Sequence, residues 1–261
     1  MLSDLQLGHE RFGAAIRFES VSRWFAGGGL VLDQISFQVD PGEFVALLGP
    51  SGSGKSSLLR LTAGLDQPNN GALVIEVASG ALSRGFVFQE ATLMPWRTVL
   101  RNISLPLELA GWSKVDAKRR ATEELERVRL TEVAARYPHE LSGGMKMRTS
   151  VARALTTRPN LLLLDEPFAA LDEPTRHALQ MQLREIWRAL KMTVLFVTHS
   201  VTEAVFLADR IIVLSRRPAR LLLDQSVALP ENRNTELRTS LEYITEVRRV
   251  GIAVPAGGEP S

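Results

Sequence analysis

The chain has no cysteine, which excludes a disulfide scaffold, a thiolate metal site and a cysteine nucleophile, and fits the cytosol. It has no apolar run approaching the ~18 residues of a membrane-spanning helix. Met1 to Glu10 lacks a basic segment followed by an apolar stretch, so neither a cleaved leader nor a membrane span is expected. Charge of one predominant sign is missing too: 31 Lys and Arg stand against 29 Asp and Glu. Despite a pI of 9.2, no strong attraction to nucleic acid or acidic lipid follows. No internal repeat is visible. What the chain does have is 45% hydrophobic residues over 261 positions, ample for the core of one large domain or two small ones. Partner choice must therefore come from a site.

The stretch Gly49-Pro50-Ser51-Gly52-Ser53-Gly54-Lys55-Ser56 follows the apolar run Phe44 to Leu48 and leads into helix-like Ser57-Leu58-Leu59-Arg60-Leu61. Strand, glycine loop and helix in that order can turn backbone N–H groups toward a nucleotide's phosphates, with the helix N-terminus adding positive potential. Lys55 would reach the β and γ phosphates, and Ser56 is placed to ligate Mg²⁺. The competing reading is a flexible Gly/Ser connector, which the flanking strand and helix disfavour.

Around this loop the pattern is α/β. Ala15 to Phe18 and Ile35 to Val39 read as antiparallel strands separated by the turn-formers Gly27-Gly28-Gly29 and Asp40-Pro41-Gly42. Ala72 to Val77 and Gly85 to Phe88 continue the strand pattern. Between about Glu90 and Pro159 the sequence turns helical. Ala117, Ala121, Leu125 and Val128 recur at helical spacing there, while Lys118, Arg119, Arg120, Glu123, Glu124 and Arg127 take the other face, expected to be solvated. Leu161 to Leu164 and Thr193 to Val197 are continuous apolar runs divided by an amphipathic stretch from Pro174 to Leu190, the signature of a buried parallel sheet. Beyond Leu229 the sequence becomes polar, and the last ten or so residues read as a loose tail.

Two further signals carry chemistry. The run Leu161 to Leu164 ends in Asp165-Glu166-Pro167, two carboxylates at the carboxyl end of a central strand, where open α/β sheets bind ligands. Asp165 suits Mg²⁺ ligation through water, and Glu166 can orient and deprotonate a water for attack on a γ-phosphate; alone, the pair could equally cap the next helix. Leu141-Ser142-Gly143-Gly144 precedes a helical segment from Met145 to Thr156, with Ser142 a good N-cap and two glycines leaving room for a close backbone approach. By itself this is an ordinary cap. Some twenty residues before the acidic strand end, it reads as a second anion site.

These residues together resemble the ATP-binding cassette ATPases, the nucleotide-binding subunits of ABC transporters, from about Ala14 to Leu229. The resemblance rests on six elements in order: the phosphate loop, Gln89 after Phe86-Val87-Phe88, Leu141 to Gly144, the strand ending in Asp165-Glu166, Ala170-Leu171-Asp172, and His199 after Phe196-Val197-Thr198. It implies a P-loop NTPase (RecA-like) core with an antiparallel β subdomain, an inserted helical subdomain at about residues 90–158, and a C-terminal extension over residues 230–261. ATP would contact Gly49 through Ser57, including Pro50, Ser51, Gly52, Ser53 and Gly54. Phe25 would stack on adenine, although a one-residue alignment shift would select Trp24. Mg²⁺ would be held by Ser56, Gln89 and, through water, Asp165. Glu166, His199 and Gln89 would be catalytic, and Ser142, Gly143, Gly144 and Asp172 would reach the ATP of a facing cassette.

The implied partners are a second copy or a paired cassette subunit, integral membrane permease subunits, and a periplasmic or extracellular solute-binding protein, with the chain on the cytoplasmic face of the cell membrane. No nucleic-acid partner is implied. The chain departs from the commonest pattern at Met145 and Met147, where glutamines are usual, and at Ala169; Met145 cannot hydrogen-bond a ribose as an amide could. Phe88 to Val99 and Leu214 to Arg220 look like the nitrate/sulfonate/taurine importer branch. In it Leu93, Met94 and Trp96 would form an apolar patch for a short permease helix, or else pack beneath the helical subdomain. A soluble cassette ATPase of DNA repair or translation would carry a coiled coil, zinc cysteines or tandem cassettes. A P-loop kinase or GTPase would lack the second glycine site.

Overall fold

In the computed structural model, which describes residues 13–255, period-2 burial shapes the first sheet. Strand β1 (Ala14–Phe25) buries Ala14, Ile16 and Phe18 while exposing Arg17 and Glu19. It pairs antiparallel with β2 (Gly29–Val39) on one side and β4 (Asn70–Val77) on the other. Phe18 opposes Phe37, their rings stacked at 4.4 Å. Both strands outrun the short segments expected, because register shifts after Phe18 and Val21 let β1 bend and continue.

The second sheet has the order β5-β6-β7-β3-β8-β9. Strands β3 (Phe44–Leu48), β5 (Arg84–Val87), β6 (Leu161–Asp165), β7 (Thr193–Thr198) and β8 (Arg210–Leu214) run parallel, and β9 (Leu221–Ser226) closes one edge antiparallel. Its central strands are covered on both faces. Val45, Leu47, Leu163 and Val197 pack toward the first sheet and α1 (Lys55–Ala63), whereas Phe44, Ala46, Leu164 and Phe196 pack toward the helices on the other side. Two-sided burial is why these strands read as unbroken apolar runs.

Three helices, α2 (Val99–Leu109), α3 (Lys114–Arg127) and α4 (Gly143–Leu155), lie between β5 and β6 in chain order, each begun by a Thr or Ser N-cap. The solvated face expected for α3 is corrected at two positions. Glu124 is fully buried, its carboxylate 2.5 Å from Arg120 Nη2 and 3.1 Å from Arg127 Nε. Arg120 is buried as well, and its guanidinium also bonds the carbonyls of Leu155 and Thr156. The pair is drawn inside because it satisfies the open carbonyl end of α4.

Helix α5 (Glu173–Leu190) fills the expected amphipathic stretch, and α6 (Val201–Leu207) follows β7. Of the last ten or so residues expected as a loose tail, the first, up to Ala253, instead complete a helix. Helix α7 (Leu241–Ala253) buries Tyr243, Glu246 and Val250 at helical spacing, and Tyr243 Oη donates to Thr202 O at 2.8 Å. The rest of the expected tail, residues 256–261, and the Met1 to Glu10 segment lie outside the described residues. No described helix is long and apolar enough to cross a membrane.

Candidate functional site

Parallel register brings the chemistry to one rim. Leu48 pairs with Thr198 and Asp165 with Val197, so the residues that follow β3, β6 and β7 emerge side by side at the carboxyl ends of adjacent strands, where the strand order changes direction. From β3 the chain turns through Gly49 to Gly54 into α1. Gly54 caps the helix at φ +101, where a Cβ would also lie 2.9 Å from Leu32 Cδ2; only glycine fits both demands. The start of β2 thus leans on this loop.

Lys55 is only 4% exposed. Its Nζ donates to Gly49 O at 2.9 Å and Pro50 O at 2.7 Å and stands 4.0 Å from Glu166 Oε1. Burial pushes its pKa down, opposed by the charges of Glu166 and Asp165. Ser53 Oγ is buried within the same loop with no hydrogen-bond partner. Ser56 Oγ donates to Asp165 Oδ1 at 2.9 Å. Burial raises the Asp165 pKa, the Ser56 hydrogen bond lowers it, and Glu166 raises it further.

Glu166 adopts φ +43, a left-handed conformation costly for a residue with a side chain. Its N–H donates to Val197 O at 3.0 Å, and its Oε2 lies 3.0 Å from His199 Nδ1. Lys55, Ser56, Asp165, Glu166 and His199 therefore form one contiguous cluster. Gln89 lies exposed just beyond β5, with no contact to that cluster among the described interactions. Phe25 ends β1, half exposed, with the Arg23 guanidinium 4.4 Å above its ring; Trp24 is comparably exposed.

The second glycine site sits apart from this cluster. Ser142 caps α4 by accepting from Met145 N at 3.3 Å, and Asp172 caps α5 by accepting from Thr175 N at 3.0 Å. That N–H holds the Asp172 carboxyl below its ordinary range. The two caps touch: a Cβ on Gly144 would lie 2.4 Å from Thr175 Cγ2, and one on Gly143 3.7 Å from Leu171 Cδ2. Ser142, Gly143 and Asp172 are exposed.

Sequence reasoning missed the groups joining these pieces. Thr198 Oγ1 donates to Glu203 Oε2 at 2.7 Å, Arg176 Nε lies 3.7 Å from Glu203 Oε1, and Arg176 Nη2 donates to Leu171 O at 2.7 Å. The residue before His199 is so linked to the residue before Asp172. Burial raises the Glu203 pKa against the opposing effects of Thr198 and Arg176. The available signal was spacing alone: each residue stands four after a singled-out position, Arg176 after Asp172 and Glu203 after His199. Arg153 of α4 likewise bonds Ala91 O and Thr92 O at 3.1 and 2.9 Å, tying the helix that Ser142 caps to the segment that follows Gln89.

Comparison with known proteins adds to this geometry. Residues 32–169 match the family described as ABC transporter. An uncharacterized ABC transporter ATP-binding protein, MJ0412 of Methanocaldococcus jannaschii, is 42% identical over 92% of this chain and 91% of its own length. The aliphatic sulfonates import ATP-binding protein SsuB of Bacillus cereus is 41% identical, covering 85% of this chain and 90% of that protein. The nitrate import ATP-binding protein NrtD of Synechocystis is 43% identical over 80% of each. Among solved structures, the dimeric post-hydrolysis state of the ATP-binding cassette MJ0796 bound to ADP and Pi is similar at TM-score 0.71 and 29% identity. That likeness covers 82% of this chain and all of the other.

Proposed function

Because the chain belongs to the ABC transporter family as an ATP-binding cassette that hydrolyses ATP, we propose that it energises an importer of a small solute of the nitrate, sulfonate or taurine class. The observation that carries the ATPase reading is the convergence of Lys55, Ser56, Asp165, Glu166 and His199 on one strand-end rim. In this reading residues 14–229 are the cassette, with residues 90–158 as its helical insertion and residues 230–261 as an extension.

Gly49, Pro50, Ser51, Gly52, Ser53, Gly54, Lys55, Ser56 and Ser57 wrap the phosphates, and Phe25 stacks on adenine. The unpartnered Ser53 hydroxyl and the desolvated Lys55 ammonium both gain when an anion enters the loop. Mg²⁺ fits Ser56, Gln89 and, through water, Asp165: the donors are all oxygen and few, as this ion prefers when phosphates complete its shell, and Asp165 gains from a neighbouring cation. The ion supplies neutralisation of charge on the phosphates. Glu166 takes the proton of a water whose oxygen bonds to the γ-phosphorus as the bond to ADP breaks. His199 holds both Glu166 and the γ-phosphate.

Ser142, Gly143, Gly144 and Asp172 serve ATP held by a second cassette, either another copy or a paired subunit. The exposure of Ser142, Gly143 and Asp172, the absence of any described contact between them and the Lys55 cluster, and the dimeric structures of similar cassettes support this. Leu93, Met94 and Trp96 receive the permease; Trp96 is 72% exposed. A solute-binding protein delivers the cargo outside while this subunit works on the cytoplasmic face of the membrane.

The reading is tested by light scattering after size exclusion in MgATP. Glu166→Gln is expected to accumulate as a nucleotide-dependent dimer while the native protein cycles back to monomer. A Glu166→Gln protein that stays monomeric and hydrolyses ATP at the native rate overturns the assignment of Glu166 and of the facing site together.

A further inference from the structure

The segment from Leu214 to Arg220 closes on the β1–β2 hairpin. Ala219 N donates to Val31 O at 2.8 Å, Asp33 N donates to Ala219 O at 2.9 Å, and Leu32 and Ala219 form a parallel bridge. Arg220 Nη2 pairs with Asp33 Oδ2 at 2.6 Å. Arg217 reaches further along the hairpin. Its Nε donates to Leu30 O at 3.0 Å, and its Nη2 donates to Gly29 O at 3.1 Å and to Gly28 O.

These contacts land beside Phe25. A Cβ on Gly28 would lie 3.5 Å from Phe25 Cβ and 3.6 Å from Arg217 Nη2, so the ring-bearing residue and the guanidinium flank the same turn. The turn itself is glycine throughout from 27 to 29, with positive φ at Gly27 and Gly29, and has little stiffness of its own. On the other side Arg23 lies over the Phe25 ring. Arg23 is fixed by Asp66 at 2.8 and 3.1 Å and by Asn69 Oδ1 at 2.8 Å. One face of Phe25 is covered by a braced cation.

We infer that Arg217 is a positioning residue for the nucleotide base: by binding three consecutive carbonyls of the β1–β2 turn, it sets the place of the Phe25 ring relative to the phosphate loop. The inference rests on the proposed stacking of Phe25 on adenine. Val31 and Leu32 already lean on Gly54 of that loop, so a fixed turn transmits a fixed distance between ring and phosphates. Arg suits the task because its planar fork holds several acceptors at once, which a lysine ammonium on a flexible stem does less well.

The test is calorimetric titration of the whole chain with MgATP and, separately, with magnesium tripolyphosphate, which has no base. Arg217→Ala is expected to weaken MgATP roughly three- to tenfold and to leave tripolyphosphate affinity and the melting temperature unchanged. Arg217→Lys, which keeps the charge, is expected to retain at least half of that loss on a logarithmic scale. Equal weakening of both ligands, native ATP affinity in Arg217→Ala, or full recovery in Arg217→Lys would each overturn the inference. Phe25→Ala separates the two levels. If it binds MgATP like the native chain, the stacking reading itself fails; if it weakens MgATP while Arg217→Ala does not, only the bracing role fails.

Discussion

The two glycine sites of this protein are built differently. At the phosphate loop, functional side chains touch one another within a single chain: Lys55 with Glu166, Ser56 with Asp165, Glu166 with His199. At the second site Ser142 and Asp172 each cap the helix that they begin, and both stand exposed with no described contact to the Lys55 cluster. The first is a side-chain cluster assembled by buried strands and, in the proposed function, the reaction centre; the second, in the same proposal, serves the ATP of another molecule. The contrast explains why damage to each should register in a different measurement.

The largest expected effect lies in the first region. Glu166→Gln should lower phosphate release by roughly 10² to 10⁴, with MgATP affinity by calorimetry near native, because the amide keeps the shape but cannot take the proton. Next comes a change far from both sites. Glu124→Ala leaves Arg120 without its buried partner and should cost about 3–5 kcal/mol in denaturant unfolding. Its ATP affinity under folding conditions should be unchanged; if stability is unaffected, the pair is as solvated as its sequence pattern suggests.

Lys55→Ala should weaken MgATP by about 1.5–3 kcal/mol, the value of a charge-assisted contact; unaltered affinity in the same titration would remove the lysine from the phosphate site. Gly144→Ala sharpens the comparison from the other side. Its methyl must displace Thr175 Cγ2, an overpacking of about 1–3 kcal/mol that should lower turnover but spare ATP binding to the isolated chain. Adding Thr175→Ser removes the obstructing methyl and should restore activity; failure of that rescue means the glycine is needed for something other than room.

The smallest effect on the isolated protein is expected from Leu93→Asp with Trp96→Asp. At exposed or half-exposed positions these should shift stability by about 0.5 kcal/mol each, while transport in vesicles reconstituted with the permease collapses. A large drop in melting temperature would instead assign the patch to packing.

Much of this was legible in the sequence because strong local patterns coincide with buried strands. Leu161 to Leu164 and Thr193 to Val197 are apolar on both faces, so their ends, and with them Asp165, Glu166 and His199, could be located without knowing the partners of each strand. Strands β8 and β9 were not anticipated. Their places depend on pairing across distant segments, Leu47 with Ile212 and Ile211 with Gln225. Arg120 and Glu124 misled for a related reason: a helical wheel ranks residues by polarity, but the open carbonyls of α4 supplied an interior partner that periodicity cannot reveal. Helix α7 was hidden by its composition. Tyr243 and Val250 join the core beside α6, and Tyr243 Oη reaches the carbonyl of Thr202 on that helix.

The common level at which β3, β6 and β7 end has a consequence in time as well as in space. Their amides sit at the middle of a sheet covered on both sides, and such groups exchange hydrogen with solvent only when the whole molecule opens. The cluster of Lys55, Glu166 and His199 is bolted to that slowest-opening part, whereas Phe25 stands half exposed at the end of β1, outside it. In the proposed function, a loosened hold on the base would therefore leave the alignment of Lys55, Glu166 and His199 undisturbed, so that exchange of one nucleotide for another need not interrupt the readiness of the groups proposed to cut it.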